Sequence, residues 1–434
     1  MSERTANCCV IAASKHALPL PSPPLTLPSP HTPLPLPSPP TLTPPPALSR
    51  SHSPSLILRH LTLPNPSSDL PLTPSLDYNS VVGRNCDLCI GYVPMPVGIT
   101  SSNLSLTMLA PDPTHPDLTL DTPVLCATTE GGLIASLSRG CKALKSSNLT
   151  TAVTKSGMSR SPCLDFNSLK DAVRFASYAD TDACGQMMRD AFSTTSRFGL
   201  YKSHECTVVG TVVYLRVVAE CGEAMGMNMV SKGVQAILAK LRERFDFDVI
   251  TLSGNNCTDK KSSATNLIHG RGRSVTATAR IPEAVVKSVL KSSAQRMARC
   301  CFLKCQVGSG VSGSMGGMNA HSANIVSGVF IATGQDPAHA VEGSMCTTVM
   351  EEIRDGSGDL SVSVTMPAVC VGVVGGGTNL KAQRRCLEVM GCGESADKLA
   401  SVVCGAVMAG EVSLIAALTE GHLVKAHMNL NRKK

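Results

Sequence analysis

VVGTVVYLRVV (208–218), a run rich in β-branched residues, precedes a turn at Cys221–Glu223 and then a segment with helical periodicity. The run predicts a strand, because branched side chains pack well on a pleated sheet. The next segment predicts a helix, because its apolar residues share one face: Val230, Val234, Ile237, Leu238 and Leu241. A further strand is predicted at Val249–Leu252. Strand, helix and strand in this order indicate an α+β fold.

Two more helical patterns lie in the C-terminal half. Pro282 and Glu283 open the first, because proline suits the first turn of a helix. Its apolar residues keep the spacing of three and four: Val285, Val286, Val289, Leu290 and Met297. The second pattern runs from about Asp397 to Leu418, and Gly421 ends it.

Composition limits the classes of protein. The 434 residues are 43% apolar with a mean hydropathy of +0.11, which is typical of a soluble globular protein with two or more cores. We find no run of about 18–20 uninterrupted apolar residues and predict no transmembrane segment. A net charge of +7 favours polyanionic small molecules. With 3% aromatic residues and no Trp, the chain has no stacking platform for nucleic acid.

The 19 cysteines are scattered through segments that look buried, which favours free thiols in a reducing compartment. Cys86 and Cys89 form a CxxC without a second pair at zinc-like spacing, so we predict no metal site. Residues 1–77 form a Pro-rich leader that we expect to be disordered. We predict a cytoplasmic, soluble protein. The acid-poor leader leaves a mitochondrial or other organellar location open.

The segment SGNNCTDKKSSATNLIHGRGRSV (253–275) has almost no apolar periodicity and places Asp259 directly before Lys260 and Lys261. Alone, it would fit a solvated charged loop. Five other segments accompany it: CATTEGGLIASLSRGCKAL (126–144), GEAMGMNMVSKG (222–233), IATGQDPAHAVEGS (331–344), GVVGGGTNL (372–380) and GHLVKAHMNLNRKK (421–434). From about Tyr78 to the C-terminus, the chain resembles the catalytic domain of the hydroxymethylglutaryl-CoA reductase family in its class I, eukaryotic-type form.

The resemblance implies a fold with an insertion. A large substrate-binding domain, residues 78–161 and 264–434, would surround a long central helix. A small ferredoxin-like NADP-binding domain, residues 162–251, would interrupt it. Residues 252–263, which we call the Lys loop, would connect the two. The small domain is not of the Rossmann type, so its dinucleotide fingerprint is expected to be absent, as it is.

The activity implied by the resemblance is the NADPH-dependent, four-electron reduction of hydroxymethylglutaryl-CoA to mevalonate and CoA, at the entry to isoprenoid and sterol biosynthesis. Such a reaction needs a cation for the oxyanion and protons for a thiolate and an alkoxide. By resemblance, Lys260 holds the oxyanion, Glu130 donates a proton, Asp336 bridges these two residues, and His427 protonates the CoA thiolate.

The family also implies binding residues. Arg139 faces the CoA phosphates, Leu414 belongs to an apolar shelf beside the substrate methyl, and Asn324 lies beside the catalytic lysine. The hydroxymethylglutaryl group is held by Arg160, Ser253, Lys261 and Lys304. The cofactor is contacted by Ser196, Arg197, Glu223, Met225, Gly226, Met227, Asn228, Gly375, Gly376, Gly377 and Thr378. Arg197 suits a 2′-phosphate.

Assembly and rival functions complete the expectations. The family implies a homodimer or homotetramer with active sites between subunits: Glu130, Lys260 and Asp336 on one protomer and cofactor contacts from its neighbour. Glu223 stands where the family has aspartate.

One alternative function is that of a degenerate reductase that only binds CoA ligands. Another is a thiol-dependent CoA acyltransferase, although no cysteine sits beside a histidine in a nucleophile motif.

Overall fold

The computed structural model describes residues 78–420 apart from residues 88, 90 and 113. The predicted leader and His427 therefore lie outside the described residues. The helices are α1 (Leu133–Leu144), α2 (Leu169–Ala179), α3 (Asp182–Ser193), α4 (Met227–Arg242), α5 (Ala264–His269), α6 (Glu283–Val285), α7 (Ala294–Cys301), α8 (Ser309–Val311), α9 (Ser322–Thr333), α10 (Ala340–Gly343), α11 (Lys381–Val389) and α12 (Ala396–Thr419).

The strands lie before and between these helices. They are β1 (Val97–Ile99), β2 (Leu104–Met108), β3 (Leu118–Thr122), β4 (Leu125–Ala127), β5 (Thr150–Arg160), β6 (Cys163–Asp165), β7 (Leu200–Val209), β8 (Val212–Glu220), β9 (Asp248–Thr251), β10 (Gly272–Ile281), β11 (Gly317–Met318), β12 (Cys346–Glu352) and β13 (Leu360–Val369). The predicted mixture of helices and strands is confirmed.

Strand β5 joins two parts of the sheet system. Through residues 150–157 it pairs antiparallel with β10, which continues through β13 and β12 to β11. Through residues 158–160 it pairs antiparallel with β8, which continues through β6 to β9. Arg160, a predicted substrate-binding residue, is the last residue of β5 and lies where the two parts meet.

Two hydrophobic cores accompany the two parts of the sheet. The larger core surrounds α12, whose residues are buried along most of its length. The smaller core lies among α2, α3, α4 and the strands β6 and β8, and it includes Phe166, Phe175 and Phe247 in ring contact.

Helix α12 is long and apolar enough to cross a membrane by length and composition, which the sequence prediction did not anticipate. In this structure 78% of its most apolar window is buried against neighbouring elements. Here it is a core element, and its observed bounds lie within one residue of the predicted helix.

Two predicted elements were wrong in detail. The strand at 208–218 is a hairpin, because Gly210 adopts φ +62° between β7 and β8 and reverses the chain. The helix opened by Pro282 stops after a π-helical turn, Val286–Leu290, because Lys291 adopts the left-handed conformation at φ +60°. The chain then restarts with Ser293 as the N-cap of α7.

The crossing of α1 and α12 depends on Gly140. A Cβ at this position would lie 1.9 Å from the carbonyl oxygen of Ala409, a backbone atom that cannot rotate away. We expect Gly140→Ala to lower the free energy of unfolding by about 1–3 kcal/mol, the usual cost of overpacking. Gly185→Ala in α3 is the matched control, since nothing lies within 4 Å of its Cβ position. That control should be neutral or stabilising. Thermal unfolding that ranks the two variants in the opposite order would contradict this packing.

Candidate active site

The Lys loop leaves β9 and returns the chain to α5 through a constrained backbone. Thr258 and Lys260 adopt φ +60° and +56°, which is uncommon for residues other than glycine and strained for a β-branched one. The hydroxyl of Thr258 donates to the side chain of Asn266. The amide of Lys260 donates to Glu342 Oε1 at 3.2 Å. The fold thus imposes a costly conformation that aims the Lys260 side chain.

Lys260 forms an ion pair with Asp336. Their Nζ and Oδ2 atoms lie 2.9 Å apart, and the side chains are 43% and 35% exposed. The hydrogen bond that Lys260 donates to Asp336 raises the pKa of Lys260, although partial burial opposes it. Burial alone would raise the pKa of Asp336. Contacts with Lys260, the amide of Ala338 and His339 outweigh burial and hold that pKa below its usual value. Both groups are therefore charged near neutral pH, and the ammonium remains accessible.

A buried polar cluster lies beneath this pair. Arg271, whose side chain is fully buried, places Nη1 2.8 Å from Glu342 Oε1 and Nη2 3.0 Å from Asp259 Oδ1. His339, Glu342 and Cys370 form one group of donor atoms close enough to one another to hold a cation. However, Arg271 Nη1 lies 3.3 Å from Cys370 Sγ as well. A guanidinium already occupies the space between these donors.

A second pair joins Glu130 and Asn324. Glu130 stands just before α1, and its Oε2 accepts a hydrogen bond from Asn324 Nδ2 at 3.0 Å. Asn324 lies in the first turn of α9. Buried Glu411 on α12 fixes that end, because its carboxylate accepts from the backbone amides of Ala320 and His321 at 2.6 and 2.8 Å.

The two pairs lie at opposite ends of α9. Asn324 is in its first turn, whereas Asp336 lies three residues beyond its last residue. At 1.5 Å per residue, the helix separates them by about 14 Å or more along its axis. Within one chain, Glu130 and Lys260 are therefore in separate clusters.

The structure brings some predicted substrate residues to the Lys loop. Arg160 Nη1 lies 3.2 Å from Ser253 Oγ and 3.7 Å from Asp259 Oδ2, and its Nε donates to Ser231. Lys261 Nζ turns back to the carbonyl of Asp259 at 3.1 Å.

Others lie elsewhere. Lys304 is exposed on the π-helical turn Phe302–Gly308. Arg139 donates from Nε and Nη2 to the hydroxyl and carbonyl of Ser413 at 3.0 and 2.7 Å. It therefore contacts α12 next to Leu414, which is half-buried on a helix that is otherwise largely buried.

The predicted cofactor segments meet. A bridge between Ala224 and Val374 brings residues 222–228 against the Gly-rich segment 372–380. The side chain of Glu223 is held in place, because its Oε2 accepts a hydrogen bond at 2.5 Å from the amide of Ala396, the first residue of α12. Met227 is buried, and its sulfur lies 2.7 Å from Arg271 Nη2.

The remaining cofactor positions have distinct surroundings. Ser196 Oγ accepts from the amides of Phe198 and Gly199 at 3.1 and 3.2 Å. The guanidinium of Arg197 lies 4.7 Å from the ring centroid of Phe198. Gly375 and Gly376 have φ +82° and +56°, and a Cβ at either position would meet nothing within 4 Å. Met225 and Gly226 lie just before α4, and Asn228 lies in its first turn. Gly377 and Thr378 follow Gly376 in the Gly-rich segment.

Residues 59–432 match the family model described as hydroxymethylglutaryl-coenzyme A reductase. The chain belongs to this family. Its relatives include 3-hydroxy-3-methylglutaryl-coenzyme A reductases of Nicotiana sylvestris, 45% identical over 84% of this chain and 59% of that protein, and of Arabidopsis thaliana (reductase 1), 45% identical over 84% and 61%. This chain spans about three fifths of the length of these relatives.

Solved structures support the fold of a reductase of this family. The class II 3-hydroxy-3-methylglutaryl-CoA reductase from Streptococcus pneumoniae, bound to NADPH in open conformations, is similar with a TM-score of 0.59. The match covers 77% of this chain and 87% of that one at 16% identity. The mixed helix and strand fold predicted from the sequence therefore agrees with a known reductase structure.

Sequence reasoning missed the supporting residues of this reductase fold. His339 and Glu342 lie three positions apart in one segment, but Arg271 is 71 positions from Glu342, so the sequence gives no signal that the three meet. Glu411 did leave a signal, since it is the one carboxylate in the apolar sequence from Leu399 to Leu418. A charge at a core position must have partners, so such a residue marks a buried polar contact.

Proposed function

We propose that this reductase-family protein converts hydroxymethylglutaryl-CoA to mevalonate and free CoA with NADPH. The observation that carries the proposal is the Lys260–Asp336 ion pair, which holds an accessible ammonium on a strained loop above a buried anchor. An ammonium fixed in this way stabilises a developing oxyanion without reorganising. When bound, NADPH supplies the hydride for each of the two reductions.

The chain's own groups divide the remaining work. Lys260 holds the oxyanion of the thioester in the first reduction and of the aldehyde in the second. Glu130 gives a proton to the final alkoxide, and Asn324 orients its carboxyl group through the 3.0 Å hydrogen bond. His427 protonates the departing thiolate. That last assignment rests on its sequence motif alone.

Substrate binding uses the cations and hydroxyls around the Lys loop. Arg160 and Ser253 lie in mutual contact and would hold the carboxylate of the hydroxymethylglutaryl group. Lys261 adds positive charge at this loop. Arg139 on α1 contacts Ser413 of α12, next to Leu414, and these two residues would face the CoA portion and the substrate methyl.

The residues at the Ala224–Val374 bridge fit a phosphorylated dinucleotide. Gly375 and Gly376 leave open space in which a diphosphate can approach the backbone closely. Arg197 supplies a planar cation suited to a 2′-phosphate, stacked on Phe198. Asn228 lies in the first turn of α4, where backbone amides favour negative charge.

Arg197 should decide between the two nicotinamide cofactors. Loss of a charge-assisted contact costs about 1.5–3 kcal/mol, so kcat/KM should favour NADPH over NADH by roughly 10- to 150-fold. Arg197→Ala should remove most of this preference. Arg174→Ala, which removes an exposed contact with Asp171 in α2, is the control and should keep it. Equal kcat/KM for both cofactors in the unmodified protein would contradict the role of Arg197.

We propose that residues 162–251 form a ferredoxin-like cofactor domain within a large domain of residues 78–161 and 264–434. The sheet order β9–β6–β8–β7, with α2 and α3 between β6 and β7 and with α4 between β8 and β9, supports this division. The separate smaller core supports it as well.

We also propose that the active site is composite. Because Glu130 and Lys260 lie at opposite ends of α9, one site can contain both residues only when two protomers contribute. The functional unit is then a dimer or a tetramer. This arrangement differs from the expectation that Glu130, Lys260 and Asp336 act together from one protomer.

The direct test is NADPH consumption by the purified full chain in the presence of hydroxymethylglutaryl-CoA, with mevalonate and free CoA quantified. Two NADPH should be consumed for each mevalonate formed. Stoichiometric ligand binding without NADPH oxidation would favour a degenerate reductase instead.

Cys257 is the thiol to check for acyl transfer. Burial opposes its ionisation, but hydrogen bonds from Ser253 and the Asp259 amide lower its pKa. Activity that survives thiol alkylation would count against that chemistry.

A further inference from the structure

His339 is the member of the buried cluster that faces the Lys260–Asp336 pair. Its side chain is 1% exposed. On one side Nδ1 lies 2.6 Å from Glu342 Oε1, a hydrogen bond. On the other side Nε2 lies 3.6 Å from Asp336 Oδ2, which is the oxygen that Lys260 Nζ contacts at 2.9 Å. One carboxylate oxygen therefore faces both the lysine and the histidine.

We propose that His339 is a positioning residue, which reaches from buried Glu342 to Asp336 and fixes the carboxylate that holds Lys260. The proposal rests on the reductase function proposed above. It adds to the Lys260–Asp336 pair a third group that touches neither substrate nor cofactor.

The contact with Glu342 determines which nitrogen of His339 carries a proton. An ionised carboxylate only accepts hydrogen bonds, so the 2.6 Å contact requires the proton of His339 on Nδ1. Nε2 then faces Asp336. Without a second proton, its lone pair would repel the carboxylate. With that proton, the imidazolium attracts the carboxylate at ion-pair distance.

All but one of the charged and titratable neighbours favour the imidazolium. They are Asp259 from the Lys loop, Arg271 before β10, Cys370 after β13, Glu342 on α10 and Asp336 itself. Burial lowers the pKa of His339, and Arg271 is a like charge. Hydrogen bonds to Cys370 and Glu342, with their charges, outweigh burial and raise this pKa to about 10.

Glu342 anchors the arrangement. Its side chain is fully buried, and Oε1 accepts from Arg271 Nη1, from His339 Nδ1 and from the amide of Lys260. The same oxygen thus sets both the backbone of Lys260 and the ring of His339. A displacement of this anchor would move both members of the catalytic ion pair.

The first test is His339→Gln, which replaces the imidazole with a neutral amide and so removes the positive charge. In the NADPH assay we expect kcat to fall about 10- to 100-fold, as for a misplaced catalytic group, while KM for the thioester changes less than about twofold. The loss of a cation beside Asp336 raises the pKa of that carboxyl. The acid limb of the kcat profile should therefore move to higher pH by about one unit. His204→Gln, at a half-buried position of β7, is the control and should leave kcat and the acid limb unchanged.

An activity-independent test uses stability. A raised imidazole pKa stabilises the fold below its ordinary value of 6.5, and this stabilisation is lost as the pH rises through about 10. The fall in Tm caused by His339→Gln should therefore be largest near pH 6 and smallest near pH 10. Combined with Asp336→Asn, the double variant should lose less than the sum of the two single losses, because each single change already removes the shared contact. His204→Gln with Asp336→Asn should be additive.

These outcomes separate the two proposals. An unmodified protein that never oxidises NADPH removes the reductase function, whereas the stability measurements still test the contact. Additive losses for His339→Gln and Asp336→Asn would overturn the positioning role. The positioning role would also be overturned if His339→Gln lowered kcat but left the acid limb of the kcat profile at the same pH. If His339→Gln does not fold, Asp336→Asn alone decides. Removal of the Asp336 carboxylate lowers the pKa of His339. The loss of stability at alkaline pH must therefore begin at lower pH in Asp336→Asn than in the unmodified protein. The same onset in both proteins would overturn the proposal.

Discussion

Lys260→Ala is expected to abolish turnover of hydroxymethylglutaryl-CoA and of added mevaldehyde alike, with a loss in kcat of roughly 100- to 1,000-fold or more. In the proposed reaction both reductions place negative charge on an oxygen, and both would use the ammonium that Asp336 holds at 2.9 Å. The adjacent Lys261 is not placed to replace it, because its Nζ turns back to the carbonyl of Asp259.

His427→Gln is expected to separate the two reactions. The imidazole is assigned to the departing thiolate, and mevaldehyde reduction releases no thiol. The variant should therefore lose most of its activity on the thioester and keep most of its activity on the aldehyde. NADPH oxidation, measured for both substrates with both variants, gives four rates whose pattern identifies each role.

Lys240→Ala is a suitable control, because it removes only an exposed ion pair with Glu243. All rates of this control should match those of the unmodified protein. Loss of mevaldehyde reduction in His427→Gln as complete as in Lys260→Ala would show that the thiolate assignment is wrong. His427 would then be a structural residue of the C-terminal segment.

The sequence predicted local elements well where the hydrophobic pattern was long. Helix α12 was placed within one residue, because its apolar pattern extends over more than twenty positions. Short patterns were less reliable. Gly210 divides one β-branched run into two strands, and Lys291 ends a helix although lysine ordinarily favours one. Both differences are decided by a single backbone conformation that periodicity does not encode.

The candidate site shows the same division. Motifs identified Glu130, Lys260 and Asp336, and the structure supplied the pairs in which they occur. The buried cluster could not be predicted, since Arg271 and Glu342 are 71 positions apart and meet only when α10 packs against the start of β10. Nor could spacing reveal that α9 holds Asn324 and Asp336 apart at its two ends.

Mixing two inactive variants should therefore restore activity. If one protomer supplies Glu130 and Asn324 while its partner supplies Lys260 and Asp336, then Glu130→Ala and Lys260→Ala damage opposite halves of each site. In a hybrid dimer one site carries both changes, and the other site carries neither. Random exchange makes half of the dimers hybrid, each with one intact site of two, so activity should recover to about a quarter of the unmodified level.

The control mixtures use two residues from the same end of α9. Lys260→Ala with Asp336→Ala leaves every site damaged in any hybrid, and so does Glu130→Ala with Asn324→Ala. Both mixtures should stay inactive after subunit exchange has been verified with differently tagged protomers. If Glu130, Lys260 and Asp336 instead act from one protomer with a neighbour's cofactor contacts, only Lys260→Ala with Arg197→Ala would recover. Because α9 is a rigid spacer of about 14 Å or more between Asn324 and Asp336, we expect recovery from the mixture of opposite ends.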